Sequence, residues 1–153
     1  MQRHKGLRQL FLKIYSMTTN KHYVFDTNTL ISALLLPTSI PRQAFDKAFD
    51  SGIVLLSDAL TVELSTVFRR PKFNRYLSEQ ERLQFLSLLL RDAVSITITK
   101  TITDCRDAND NKVLELAVSG QAHTIISGDK DLLELHPYRG VAILTPRVFL
   151  SKR

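Results

Sequence analysis

Apolar and polar positions along the chain follow two alternating periods. Short runs rich in β-formers at 22–26 (HYVFD), 53–56 (IVLL), 95–99 (SITIT), 124–127 (TIIS) and 141–144 (VAIL) read as strands. Helical spacing prevails between them. Residues 29–36 are an apolar run bounded by Pro37; residues 41–51 open on Pro41, repeat Ala44, Phe45, Ala48 and Phe49, and end before Gly52. Leu60, Leu64, Val67 and Phe68 form the inward stripe of a helix that Ser57-Asp58 starts and Pro71 stops. Ser78 and Glu81 make a capping box for a helix running through Leu86, Leu89 and Leu90. Another helix opens at Asn109-Asp110 and closes at Gly120, and Thr145-Pro146 begins a final short one. Strands separated by helices predict an α/β fold around a parallel sheet.

In such sheets ligands bind beyond the carboxyl ends of the strands, so the acids there carry information. Asp26 ends the first strand, and Asp129 follows 124–127. Glu63 sits at the edge of its helix's apolar stripe, where a carboxylate needs a cation or donors. Asp110 shares a face with Val113, Leu114 and Ala117. Carboxylates converging on one crevice repel one another unless divalent cations neutralise them, and all-oxygen ligands favour Mg²⁺ or Mn²⁺ over Zn²⁺. Each acid also has an ordinary role when taken alone. Asp26 and Asp129 serve as turn residues, Glu63 as a solvated helix residue, and Asp110 as a negative charge at a helix N-terminus. Asp107 either caps that helix or ligates a second ion, and Asp131 is expected to cap a short helix around Leu132-Leu133.

The chain has 153 residues, enough for one domain with its own core, and a net charge of +6. Its pI of about 9.7 lowers the cost of approaching phosphate. The cluster Arg69, Arg70, Lys72 and Arg75 is a candidate for RNA phosphates, and equally a solvated loop. Phe73 and Tyr76 interleave with it; burial is expected for them ahead of stacking on bases. One cysteine, Cys105, makes no intramolecular disulfide and fits a reducing, cytoplasmic compartment. His4, His22, His123 and His136 lack metal-ligand spacing. No apolar run is long enough to span a bilayer, so no membrane partner is expected. Residues 1–19 form a basic N-terminal extension, set apart from a domain over 20–153.

The segments Phe25-Asp26-Thr27-Asn28-Thr29-Leu30-Ile31-Ser32-Ala33, Glu63-Leu64, Arg106 through Ala117, Ile126-Ser127-Gly128-Asp129-Lys130-Asp131-Leu132 and Ile143-Leu144-Thr145-Pro146 resemble, in order and spacing, the motifs of PIN domains. Each is weak alone; together they span about residues 22–150 and are similar to VapC-type toxins of toxin–antitoxin systems. The resemblance implies a three-layer α/β/α domain with a central, mostly parallel sheet. It implies a Mg²⁺- or Mn²⁺-dependent endoribonuclease, frequent homodimers and a small antitoxin partner. It assigns metal binding to Asp26, Glu63, Asp110 and Asp129, with Thr27, Asn28 and Ser127 orienting carboxylates or water. Two readings stand beside the toxin: an RNA-processing nuclease, and a non-catalytic RNA- or protein-binding module. A haloacid-dehalogenase-type phosphatase also ends its first strand on Asp, but needs a second Asp where Asn28 stands.

Overall fold

The apolar runs and capped helical stretches of the sequence become the following elements in a computed structural model that describes residues 6–12 and 20–152. Helix α1 (residues 6–12) precedes strand β1 (Lys21–Phe25), α2 (Thr27–Leu35), α3 (Ile40–Ser51), β2 (Gly52–Leu56) and α4 (Asp58–Phe68). A 3₁₀ turn (Pro71–Phe73) leads to α5 (Glu79–Asp92) and β3 (Val94–Ser95). A second 3₁₀ turn (Ala108–Asp110) runs into α6 (Asn111–Ser119), followed by β4 (Thr124–Ile126), α7 (Lys130–Leu133), β5 (Ala142–Leu144) and α8 (Pro146–Ser151). The expected extension over 1–19 is seen only as α1, whose Leu7, Leu10, Phe11 and Leu12 are exposed; the rest of it lies outside the described residues.

The strands form one sheet in the order β3-β2-β1-β4-β5, with parallel pairing throughout. Helix α6 lies against β1, β2 and β4, while α3 lies against β2 and α8, so the layers are α/β/α. Both faces of the sheet are therefore covered. That is why the strands read as continuous apolar runs, with Val24, Phe25, Val54, Leu55, Ile125 and Ile126 all buried. Close approach at the start of β2 requires Gly52, since a Cβ there would overlap the Lys21 carbonyl of the neighbouring strand.

Local signals set the helix starts. Ser39, Ser57, Ser78 and Thr145 each accept a backbone N–H with their side chains, and Ser78–Glu81 closes a full capping box. The sheet differs from expectation at its edge. Residues 95–99 were expected as a strand, yet only Val94 and Ser95 pair. Strand β2 ends at Leu56, and Ser57 turns away to cap α4, so the ladder stops after the Ile96 N–H reaches the Leu56 carbonyl, and the Thr99 N–H donates instead to Ser119 Oγ at 3.0 Å. Helix α2 begins at Thr27 instead of 29, because Asp26 leaves the strand to become its N-cap.

Among the described residues the largest fully buried side chain is Arg82 on α5, a residue to which the sequence pattern attached no role. Its guanidinium donates to the carbonyls of Phe68 (2.6 Å) and Leu77 and to Asn74 Oδ1 (3.0 Å), with the Arg70 carbonyl at 3.5 Å. One side chain thus bonds the C-terminal end of α4 and the basic loop after it to α5. Replacing Arg82 by Met keeps the apolar stem and strands these acceptors. We expect a loss of about 2–4 kcal/mol in urea unfolding, which Arg82→Lys does not restore because an ammonium lacks the planar fork. A loss below about 1 kcal/mol would mean that the loop is held by other means.

Candidate metal centre

The sheet order reverses between β1 and β4: the chain lays down β2 and β3 on one side of β1, and β4 and β5 on the other. Such a switch point opens a crevice at the carboxyl ends of the two strands. Register places Phe25 opposite Ile126, so the next residues, Asp26 and Ser127, emerge side by side.

Asp26 is buried and spends both carboxylate oxygens on positioning. Oδ1 accepts the Thr29 N–H at 2.8 Å, which caps α2, and Oδ2 accepts the Ser127 hydroxyl. Burial raises its pKa, the hydrogen bonds from Ser127 and Thr29 oppose that, and the Asp129 charge adds to the rise. Ser127, fully buried, also accepts the Asp129 N–H at 3.0 Å, so one hydroxyl spaces two acids. Asp129 caps α7 by accepting the Asp131 N–H at 2.9 Å. The cap is therefore Asp129 and not Asp131, which lies in the first turn; Asp129 directly follows the β4 turn and is the residue with extended backbone that a cap requires.

Across the crevice, Asp107 caps the 3₁₀ turn through the Asn109 N–H, and Asp110 stands where that turn becomes α6. Asp107, Asp110 and Asp129 bring ligand oxygens within 4.8 Å of one another. That span suits a divalent ion with oxygen bonds of about 2.0–2.6 Å. Two buried oxygens point the same way: Asp110 Oδ2 and Thr27 Oγ1 have no hydrogen-bond partner. The Asp110 carboxyl is pushed up to about 7, first by burial, then by its close neighbour Asp129, and further by Asp107 and Asp26. The donor set is all oxygen and over-rich in negative charge, and it fits Mg²⁺ or Mn²⁺.

The other residues singled out in the sequence divide. Asn28, exposed at the start of α2, lines the same 220 Å³ cleft as Asp26, Thr27 and the three-acid group. Glu63 also lines it, from α4, but outside that group: its Oε2 accepts from Lys112 Nζ on α6 in a half-buried ion pair. Lys112 further donates to Asn109 Oδ1 at 2.9 Å. Lys112 was not anticipated; its partner lies 49 positions away, and only the packing of α4 against α6 joins them. Of the basic cluster, Arg70 reaches the cleft, while Arg69, Lys72 and Arg75 are exposed beyond it. Tyr76, expected to be buried, is 46% exposed, because the loop packs its backbone on Arg82 and turns this ring outward.

An acid whose folded pKa is raised contributes stability that is whole below its ordinary value of 3.8 and is lost as pH rises through about 7. Without metal, Asp110→Asn should therefore raise the melting temperature at pH 8 but not at pH 3.5. Asp110 as a whole is only partly buried, so the gain is about 1 kcal/mol, or ~2–4 °C. Mn²⁺ should stabilise the unsubstituted protein more than the variant. Equal melting at both pH values would show that the acids do not conflict.

Residues 22–131 match the family model of the PIN domain. An uncharacterised protein of Methanocaldococcus jannaschii is 37% identical over 114 residues, which is 73% of each chain. The fold is shared with VapBC2 from Rickettsia felis, solved bound to a DNA fragment from its promoter (TM-score 0.55, 11% identity, 80% of this chain and 96% of that one). It is shared also with FitAcB from Neisseria gonorrhoeae (TM-score 0.53, 19% identity, 82% and 98%). With the family's span running from β1 into the start of α7 and across the acid-lined switch point, the chain belongs to the PIN domain family.

Proposed function

We propose that the protein is a Mg²⁺- or Mn²⁺-dependent endoribonuclease, hydrolysing RNA to 5′-phosphate and 3′-hydroxyl ends. The observation that carries this reading is the convergence of Asp107, Asp110 and Asp129 beside Asp26 in one cleft at the β1–β4 switch point. In this reading Asp110 and Asp129 hold the ion with Asp107, and Asp26 and Glu63 complete the acidic wall. When bound, a divalent ion supplies Lewis-acid polarisation of the scissile phosphate and lowers the pKa of water.

The chain's own groups do the rest. Ser127 and the Thr29 N–H fix the Asp26 carboxylate, so its charge is aimed before substrate arrives. Thr27 and Asn28 offer a hydroxyl and an amide to orient water or carboxylate. Arg70 puts positive charge on the cleft wall, where an RNA phosphate needs it, while Lys112 lines the cleft in its pair with Glu63. Arg69, Lys72 and Arg75 extend that charge along the backbone path.

The biological role we propose is the toxin of a toxin–antitoxin pair, with a small antitoxin as protein partner and a homodimer as the working form. The fold shared with the VapBC2 complex supports it. Exposed Leu36, Leu88 and Leu90 on or beside α2 and α5 offer apolar surface for such contacts. No helix among the described residues is long and apolar enough to cross a membrane.

End-labelled structured RNAs incubated with Mn²⁺, with EDTA, and with Asp26→Asn protein test the chemistry. Asn retains the α2 cap, so lost activity does not reflect lost structure. Cleavage should need the metal and fall roughly 100-fold or more in the variant. Folded protein that neither binds Mn²⁺ in calorimetry nor cuts RNA would give way to a non-catalytic RNA- or protein-binding module.

A further inference from the structure

A second cleft, of 330 Å³, adjoins the acid cleft and shares Asn28, Val67 and Arg70 with it. Its lining is of a different kind. One wall is the C-terminal end of α2, where Leu36 is 49% exposed; the other is the loop after α4, where Tyr76 is 46% exposed. Arg70 and Lys72 line it, and no acid does. Side chains this apolar and this open, with cations among them and the acid cleft next door, suit a ligand with a flat apolar face and a negative charge.

The loop wall is built firmly. Arg82 bonds the Phe68 carbonyl and Asn74 Oδ1, so the backbone that presents Tyr76 is anchored at a fully buried guanidinium. The Tyr76 ring is already set as a platform: the Arg75 guanidinium carbon stands 4.8 Å from its centroid, and Arg75 donates to its hydroxyl at 2.7 Å. Lys72 Nζ stands 5.1 Å from the Phe73 centroid. Aromatic rings interleaved with cations are how proteins hold single-stranded nucleic acid, stacking the base and neutralising the phosphate.

We infer that this cleft is a nucleobase subsite: it takes the base of one unpaired nucleotide flanking the scissile phosphate, stacked on Tyr76, with Arg70 and Lys72 on its phosphate. Its position relative to the cut rests on the nuclease reading above; base binding itself does not. A base can enter only if it has left a duplex, so the subsite selects single-stranded segments. An apolar protein segment would fill the Leu36–Tyr76 gap but leave the two cations without counter-charge.

The test is binding of a fluorescent single-stranded hexaribonucleotide by anisotropy with Mn²⁺, in an Asp110→Asn background that keeps the RNA intact. A series of oligonucleotides, each abasic at a different position, is measured alongside. Tyr76→Ala should weaken binding of the unmodified RNA about tenfold, Tyr76→Phe should leave it unchanged, and an abasic site at one position should abolish the difference. Unchanged binding in Tyr76→Ala, or a loss that persists for every abasic position, would overturn the subsite. The two proposals fail separately. RNA cut by the unsubstituted protein, with Tyr76-independent binding, leaves the nuclease and removes the subsite; Tyr76-dependent binding without any cleavage does the reverse. If the groove takes a protein segment, RNA affinity will ignore Tyr76, and the subsite falls.

Discussion

The parallel pairing of β1 with β4 is the contact on which the rest of the molecule depends. Asp26 and Ser127 are 101 positions apart, yet the strand register delivers them side by side. The crevice exists because the sheet order reverses there, and the covering of both faces by helices leaves the strand ends as the open place. A slip of one residue in β1 would turn Asp26 to the other face of the sheet, among apolar side chains, and a slip in β4 would do the same to Ser127. Buried Val24, Phe25, Ile125 and Ile126 hold the register against that slip.

What the register assembles is electrostatically costly. Asp26 and Asp110 both have raised pKa values, with burial as the first cause and neighbouring acids adding to it. Hydrogen bonding is arranged to tolerate the conflict without removing it. Ser127 bridges Asp26 and Asp129, three of the acids cap helical turns, and Lys112 neutralises Glu63. The capping role and the site role are therefore the same geometry. A carboxylate at a helix N-terminus has its backbone direction set by the helix, and its charge is favoured by the helix dipole. Asp110 is the exception, with an orphaned buried oxygen and no capping bond, and burial together with Asp129 pushes its pKa up to about 7.

Arg82 does for the basic side what Ser127 does for the acidic side. Its bonds are to neutral oxygens at the end of α4 and in the following loop, so its effect is to fix a path of backbone. Arg70 then reaches the acid cleft, and Tyr76 stands open on the wall of the cleft beside it. A charge of +6 by itself says nothing about where phosphate would lie. Anchoring one loop turns that overall excess into a directed wall.

Much of this was legible along the chain because its signals are local. Helix starts depended on Ser57, Ser78 and Thr145 bonding backbone groups a few residues on. Strands depended on apolar runs buried on both faces. Asp26, Asp110 and Asp129 stood out because each adjoins such an element's end. The length of β3, the outward Tyr76, the Glu63–Lys112 pair and the buried Arg82 were not legible. Each rests on partners brought from elsewhere: β2 ending at Leu56, α5 beneath the loop, α6 packed on α4. Amino-acid order determined which residues start and stop elements and which acids sit at their ends, since those preferences act over one turn or one strand. Tertiary structure alone decided which acids meet, which is neutralised by a lysine and which side chain faces water, because those outcomes depend on distances between segments that the chain does not encode locally.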